Sequence, residues 1–283
     1  MTRPLAASEV DENGTRVASG PESPPIDVLV ATYNSAETLA GTLDSARRLL
    51  PVHCLIVVDR HSQDGTLDIA RAAGARVLVD DIGLGYARNA ALRAADTDPV
   101  LFLDSDVTVV RPDFYARARE QQARGGTAAV VGMSVGHRFR YGLPLGLTLV
   151  GREWALRAAI PDAVQGRETY YLQRAARRDR LEVRYVPEAM VHRGTYRRER
   201  HWAEFQGASI RLSSGRNPRE LAYAGVVVLL MHMNSKRPRH ILYSPVFYGK
   251  LVRGFLDPAR WARLSRSAGR PGGSGVGADP RPE

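Results

Sequence analysis

The sequence predicts an α/β fold: a doubly wound, mostly parallel sheet followed by a helical C-terminal extension. Two observations predict it. Apolar runs of strand length alternate with helical patterns from residue 26 to residue 132, and those runs are apolar throughout instead of at every second position. Continuous apolar strands suit a parallel sheet covered on both faces. The 283 residues, 44% of them hydrophobic, suffice for one large domain or a domain with an appendage. Residues 1–25 and 265–283 lack apolar periodicity and are rich in Gly, Pro and Ser, so both are expected to be disordered. That leaves an α/β domain over 26–205 and an extension over 206–264.

Each element has its local reason. IDVLVA (26–31) reads as the first strand. Asn34 is expected to cap the next helix with Glu37 reaching back, and Leu39, Leu43, Ala46 and Leu50 follow at helical spacing. HCLIVV (53–58) is the second strand, ending in Asp59; Asp64 caps a short helix that Gly74 closes. ARVLV (75–79), the small-residue helix GYARNAALRAA (85–95) and the strand at 99–103 continue the alternation. A helix over 112–124 and the strand TAAVVG (127–132) complete it. Beyond, 139–160 is apolar with interspersed Arg and Gly, 167–178 reads as a helix and 182–187 as a strand. The apolar run 221–233 is too short to span a bilayer, which takes about 20 residues.

The formal net charge of +10 calls for anionic partners, but no nucleic-acid-binding module is present, so nucleic acid is not expected. One cysteine, Cys54, excludes an internal disulfide and suits a reducing compartment, and the polar first 25 residues contain no signal-peptide pattern. A cytoplasmic protein is expected.

The chemistry concentrates at PVLFLDSDV (99–107), where a buried strand delivers Asp104, Ser105 and Asp106. Ligands of open α/β sheets gather beyond the carboxyl ends of the strands. Two carboxylates one residue apart at that edge, a D-x-D, can face a hard divalent cation. The plainer alternative is an Asp-rich turn.

Several stretches taken together resemble the family 2 glycosyltransferases: ATYN (31–34), VVDRHSQDGT (57–66), GLGYARNAAL (83–92), LFLDSD (101–106) and VPEAMVHRG (186–194). The resemblance covers about residues 26–195 and implies the Rossmann-like GT-A fold and a nucleoside-diphosphate-sugar donor of UDP or GDP. It implies donor contacts at Thr32, Tyr33, Asn34, Asp59, Arg88, Asp104 and Ser105, and a Mn²⁺ or Mg²⁺ site at Asp106 and His192. For Arg88, a structural salt bridge stands beside the nucleotide or metal-site role.

Two features depart from the family pattern. Arg60 stands where a second acid is usual and His61 where a Gly is usual, so Arg60 could meet a phosphate or a different sugar. Thr169 stands where the Asp of an E-D pair is usual, so Glu168 is the expected catalytic base, with Asp162 in reserve and helix-start stabilisation as the plain alternative. Arg197, Arg198 and Arg200 are expected to fold over the diphosphate or contact an acidic acceptor, unless they form a solvated basic face. The resemblance implies transfer of the sugar, with inversion, to an acceptor hydroxyl; the composition of the segment beyond residue 195 suggests a glycan or lipid-linked acceptor, in glycan, glycolipid or polysaccharide synthesis at the cell envelope. The apolar and basic segment from 221 to 256 suits either peripheral contact with an anionic membrane at its cytoplasmic face or packing on the catalytic domain. Two other classes remain open: a sugar-nucleotide nucleotidyltransferase, whose Gly-rich phosphate loop is missing after Ala31, and a noncatalytic nucleotide-sugar-binding relative.

Overall fold

The computed structural model describes residues 24–164, 166–193, 202–234 and 239–259. The termini expected to be disordered (apart from residues 24 and 25), and Arg197, Arg198 and Arg200, lie outside the described residues. In chain order come β1 (Ile26–Thr32), α1 (Ala36–Leu49), β2 (Val52–Asp59), α2 (Thr66–Ala72), β3 (Arg76–Val79), α3 (Leu84–Ala94) and β4 (Val100–Leu103). Then follow β5 (Val107–Val109), α4 (Phe114–Ala123), β6 (Thr127–Ser134), β7 (Leu147–Val150), α5 (Arg152–Arg157), α6 (Glu168–Arg178) and β8 (Glu182–His192). Three helices end the described chain: α7 (Trp202–Ser214), α8 (Pro218–Met233) and α9 (Arg239–Leu256).

The strands form one eight-stranded sheet in the order β3-β2-β1-β4-β7-β6-β8-β5. From β3 to β4 every pairing is parallel. Beyond β4 the sheet is mixed: β7 runs antiparallel to both β4 and β6, β8 is parallel to β6, and β5 is antiparallel to β8.

Successive side chains on a strand face opposite ways, and here both sides are covered. Val28, Val30, Leu55, Val57, Leu101 and Leu103 pack with α1, α2 and α4. Their neighbours Leu29, Ile56, Val58 and Phe102 pack with α3, α5 and α6. This is why the strands read as continuous apolar runs. The C-terminal helices add a smaller core of Ile210, Val228, Leu251 and Phe255. There α7 and α9 meet backbone to backbone: a Cβ on Gly254 would sit 2.0 Å from the Glu204 carbonyl oxygen, and one on Gly207 1.9 Å from that of Leu251. Only glycine permits that approach.

Three local expectations need correction. Asn34 does not cap α1: Ser35 holds the N-cap position without a side-chain bond, and Asp64 accepts the Ala36 N–H at 3.0 Å. Asn34 instead turns through φ +45° and accepts the Gln63 N–H at 2.9 Å, tying the β1 and β2 loops together. The second departure is Arg167, which precedes α6 in the left-handed region (φ 61°) instead of lying within the helix. The third is the end of β8, which continues past residue 187 to His192 because β5 pairs with it.

Candidate active site

A tight turn joins β4 to β5 at the carboxyl edge of the parallel strands. The Asp104 N–H donates to the Gly146 carbonyl at 3.0 Å, and the Val107 N–H closes the turn on the Asp104 carbonyl at 3.1 Å. Ser105, between the two acids, is turned toward α1. Its carbonyl accepts from the hydroxyls of Thr38 and Thr42 at 2.9 and 3.0 Å, and its own hydroxyl meets that of Ser35 at 2.9 Å. The turn is therefore clamped by helix α1 through Ser105.

Register brings the histidine in. Val107 pairs with His192 across β5 and β8, and the Arg193 N–H donates to the Asp106 carbonyl at 2.7 Å. His192 Nδ1 lies 3.4 Å from Asp106 Oδ2. One ligand atom from each of Asp104, Asp106 and His192 falls within 4.8 Å of the others. Two carboxylate oxygens and an imidazole nitrogen are a donor set that suits Mn²⁺, and the carboxylates alone suit Mg²⁺. Burial raises the Asp106 carboxyl above its ordinary value; the His192 imidazole opposes the shift and Asp104 adds to it. On the turn after β6, burial lowers the His137 imidazole, and nearby His192 lowers it further.

Behind this trio lies a buried cation. Arg88 on α3 is 4% exposed, with Nη2 at 2.7 Å from Asp104 Oδ1 and 3.7 Å from Glu168 Oε1, and its guanidinium over the Phe102 ring at 5.3 Å. Burial works against its charge, but Asp104 and Glu168 outweigh it and hold the guanidinium above its ordinary range. Glu168, the first residue of α6, is 7% exposed. Burial raises its carboxyl and Arg88 only partly offsets this. The two ends of the pair thus shift unequally, because Arg88 is shared and its shorter bond goes to Asp104. The guanidinium stays charged in any case, and Glu168 is the group whose proton affinity is tuned.

The loop leading into α6 is pinned on α3. Asn89 Nδ2 donates to the Ile160 carbonyl at 2.7 Å and to Asp162 Oδ1 at 2.8 Å. The Gly85 N–H donates to Val164 at 2.8 Å, and a Cβ on Gly85 would stand 2.0 Å from the Pro161 carbonyl oxygen. Asp162 is thus tied to Asn89.

The residues at the ends of β1 and β2 form a separate knot. Thr32 Oγ1 donates to Asp59 Oδ2 at 2.8 Å, and Ser62 donates to the same carboxylate from its hydroxyl at 2.6 Å and from its N–H at 2.8 Å. Both side chains are buried, while Tyr33 is exposed. Arg60, which the sequence left free for a phosphate, lies 3.6 Å from Asp80 Oδ2. Asp80 also accepts the N–H groups of Ile82 and Gly83 at 2.8 and 2.7 Å, which fixes the approach to α3. Sequence reasoning missed Asp80, Asn89 and Ser62. The acid-to-Arg exchange at position 60 was the available signal for a compensating carboxylate nearby.

A sheet of this order, covered on both faces and ending in a D-x-D turn, defines the GT-A class of fold. Residues 27–149 match the model of glycosyl transferase family 2. Glucosyl-3-phosphoglycerate synthase from Mycobacterium tuberculosis, in complex with Mg²⁺ and uridine diphosphate, superposes with TM-score 0.55 at 23% identity, over 68% of this chain and 79% of that one. The same synthase with Mn²⁺ and UDP-glucose gives TM-score 0.53 at 24% identity, over 68% and 79%. A further mycobacterial protein gives 0.53 at 24%, over 66% of this chain and 73% of that one. At these identities the likeness is one of fold. No sequence match was found among curated proteins.

Proposed function

We propose that the protein transfers a sugar from a nucleoside-diphosphate sugar, UDP- or GDP-linked, to a hydroxyl of a glycan or lipid-linked acceptor, with inversion at the anomeric carbon. The observation that carries this reading is the connected cluster Asp104, Asp106, His192, Arg88 and Glu168 at the carboxyl edge of the sheet. Asp104, Asp106 and His192 would hold Mn²⁺ or Mg²⁺, and a divalent cation held there would neutralise charge developing on a departing diphosphate. Arg88 fixes Asp104 and lies beside Glu168. Glu168 accepts the proton of the acceptor hydroxyl as its oxygen bonds to the anomeric carbon, while the bond from that carbon to the diphosphate breaks and the nucleoside diphosphate leaves with the electron pair. A buried carboxyl with a raised pKa is suited to that task. The solved relatives bound to UDP, UDP-glucose, Mg²⁺ and Mn²⁺ support the donor and metal classes.

The test is a thermal-shift panel of UDP, GDP, CDP and dTDP with Mn²⁺, Mg²⁺ or chelator. One diphosphate should raise the melting temperature only with metal; a ligand at a hundred times its Kd stabilises by about 2.7 kcal/mol. Asp106→Ala should abolish that shift. No shift with any diphosphate would remove the metal-site reading. Binding without turnover would leave the noncatalytic alternative.

The same proposal places the enzyme against an anionic membrane surface. No helix among the described residues is long and apolar enough to cross a membrane. Yet α8 exposes Val226, Leu229 and Met233, and α9 exposes Leu242 (81%) and Val246. Residues 221–256 contain Lys236, Arg237, Arg239, Lys250 and Arg253 and no acid, so the charge complements anionic headgroups. Vesicles containing phosphatidylglycerol should pellet the protein, and pure phosphatidylcholine should not. Leu242→Glu should weaken the binding. Failure to pellet with anionic vesicles, or dimerisation through these residues, would replace the membrane with another occupant.

A further inference from the structure

We propose that Arg167, Ser213 and Glu220 form a brace by which the C-terminal helices set the position of Glu168, a role that rests on the reading of Glu168 as the base. Arg167 immediately precedes Glu168 and holds a left-handed backbone, φ 61° and ψ 26°. Non-glycine residues adopt that region at a cost and keep it where their surroundings determine it.

Here the surroundings come from beyond the α/β domain. The Arg167 guanidinium is mostly buried, donating from Nη1 to Ser213 Oγ on α7 and from Nη2 to Glu220 Oε2 on α8, both at 3.1 Å. It also lies over the Tyr170 ring at 4.9 Å. Ser213 is itself fixed, its hydroxyl donating to the Ser209 carbonyl at 2.8 Å. Glu220 Oε1 lies 3.9 Å from Arg177 Nη1, so one carboxylate on α8 gathers arginines from both ends of α6. Close by, α7 crowds the approach to α6: a Cβ on Gly166 would lie 3.1 Å from the Phe205 ring.

A pair of this kind is weak support for stability, since an apolar pair of similar shape often serves as well. What it does specify is geometry. It fixes the residue before Glu168, whose carboxyl must stay beside Arg88 and reach an acceptor hydroxyl. A displacement of about 1 Å there can lower turnover by as much as a hundredfold. The brace residues have no bond to Asp104, Asp106 or His192 among those described, so donor binding should not depend on them. They also lie outside the matched segment 27–149.

The test measures Mn²⁺-dependent hydrolysis of UDP-glucose and of GDP-mannose, with water as acceptor, using the full chain. Glu220→Gln is expected to lower kcat about tenfold with KM for the nucleotide sugar changed by less than about twofold. The double variant Arg167→Met with Glu220→Leu should recover the melting temperature without recovering kcat, and Glu220→Asp should restore part of kcat. Recovery of kcat together with stability in the double variant, or an unchanged kcat in Glu220→Gln, would overturn the brace. A wild type that cleaves neither donor would instead withdraw the reading of Glu168, and the brace's role with it.

Discussion

Replacing Glu168 by glutamine is expected to lower turnover by about 10²–10⁴-fold, the usual contribution of a general base, while the metal-dependent diphosphate shift survives. The substitution keeps the shape of the side chain and removes only its capacity to take a proton. Nucleotide binding should persist because Asp104 keeps its 2.7 Å bond to Arg88, and Asp106 keeps His192 at 3.4 Å. The pH profile carries a second signature. Burial raises the Glu168 carboxyl above its ordinary 4.5, and the base must be ionised, so the acid limb of kcat should lie above that value. In the glutamine variant the limb should disappear from whatever activity remains. The stability linkage runs the other way. A carboxyl whose folded pKa is raised contributes stability that is fully present below its unfolded value and is lost as pH rises through the folded one. The wild type should therefore lose stability relative to Glu168→Gln as pH climbs past 4.5. If Glu168→Gln keeps its turnover and Asp162→Asn loses it, the base belongs to the loop before α6.

The same residues show what a sequence can disclose. The strands β1 to β4 were legible because each is short, apolar and separated from the next by a helical pattern, so local signals coincide. The element β5 was not: Val107–Val109 is three residues long, and it is a strand only because β8 comes back to pair with it. The stretch 139–160 hid β7 and α5 for a related reason, since β7 earns its place by antiparallel pairing with β4 and β6. Site residues divide along the same line. Asp104 and Asp106 were legible as a carboxylate pair at a strand end, whereas His192 and Glu168 were named through family resemblance, which records the outcome of folding. The bonds among them depend on how α3, α6 and β8 are packed around the β4–β5 turn. Thr32 and Asp59 were expected at a donor base, and the fold places their side chains in a buried knot with Ser62. Arg60 departs from the family pattern in sequence, but only the folded chain reveals Asp80 beside it.

Arg88→Met is expected to cost about 3–5 kcal/mol of stability, the usual penalty for removing one partner of a buried ion pair. For a chain of this size that corresponds to a melting temperature lower by roughly 6–20 °C. The Arg88 side chain is 5% exposed and touches two carboxylates, of which Glu168 is 10% exposed and Asp104 35%. Removing the cation leaves Glu168 with little solvent to replace it, whereas Asp104 regains some hydration. The penalty should therefore come mainly from Glu168, and the double variant Arg88→Met with Glu168→Gln tests this directly. A neutral amide in place of the stranded carboxylate should return a substantial part of the lost stability, so the double variant should cost less than the sum of the singles. Strict additivity would mean that Arg88 serves Asp104 alone. In either case Arg88→Met should weaken the metal-dependent diphosphate shift, because Asp104 loses the bond that orients it. A full loss of that shift with only a small fall in melting temperature would make Arg88 first of all a part of the donor site.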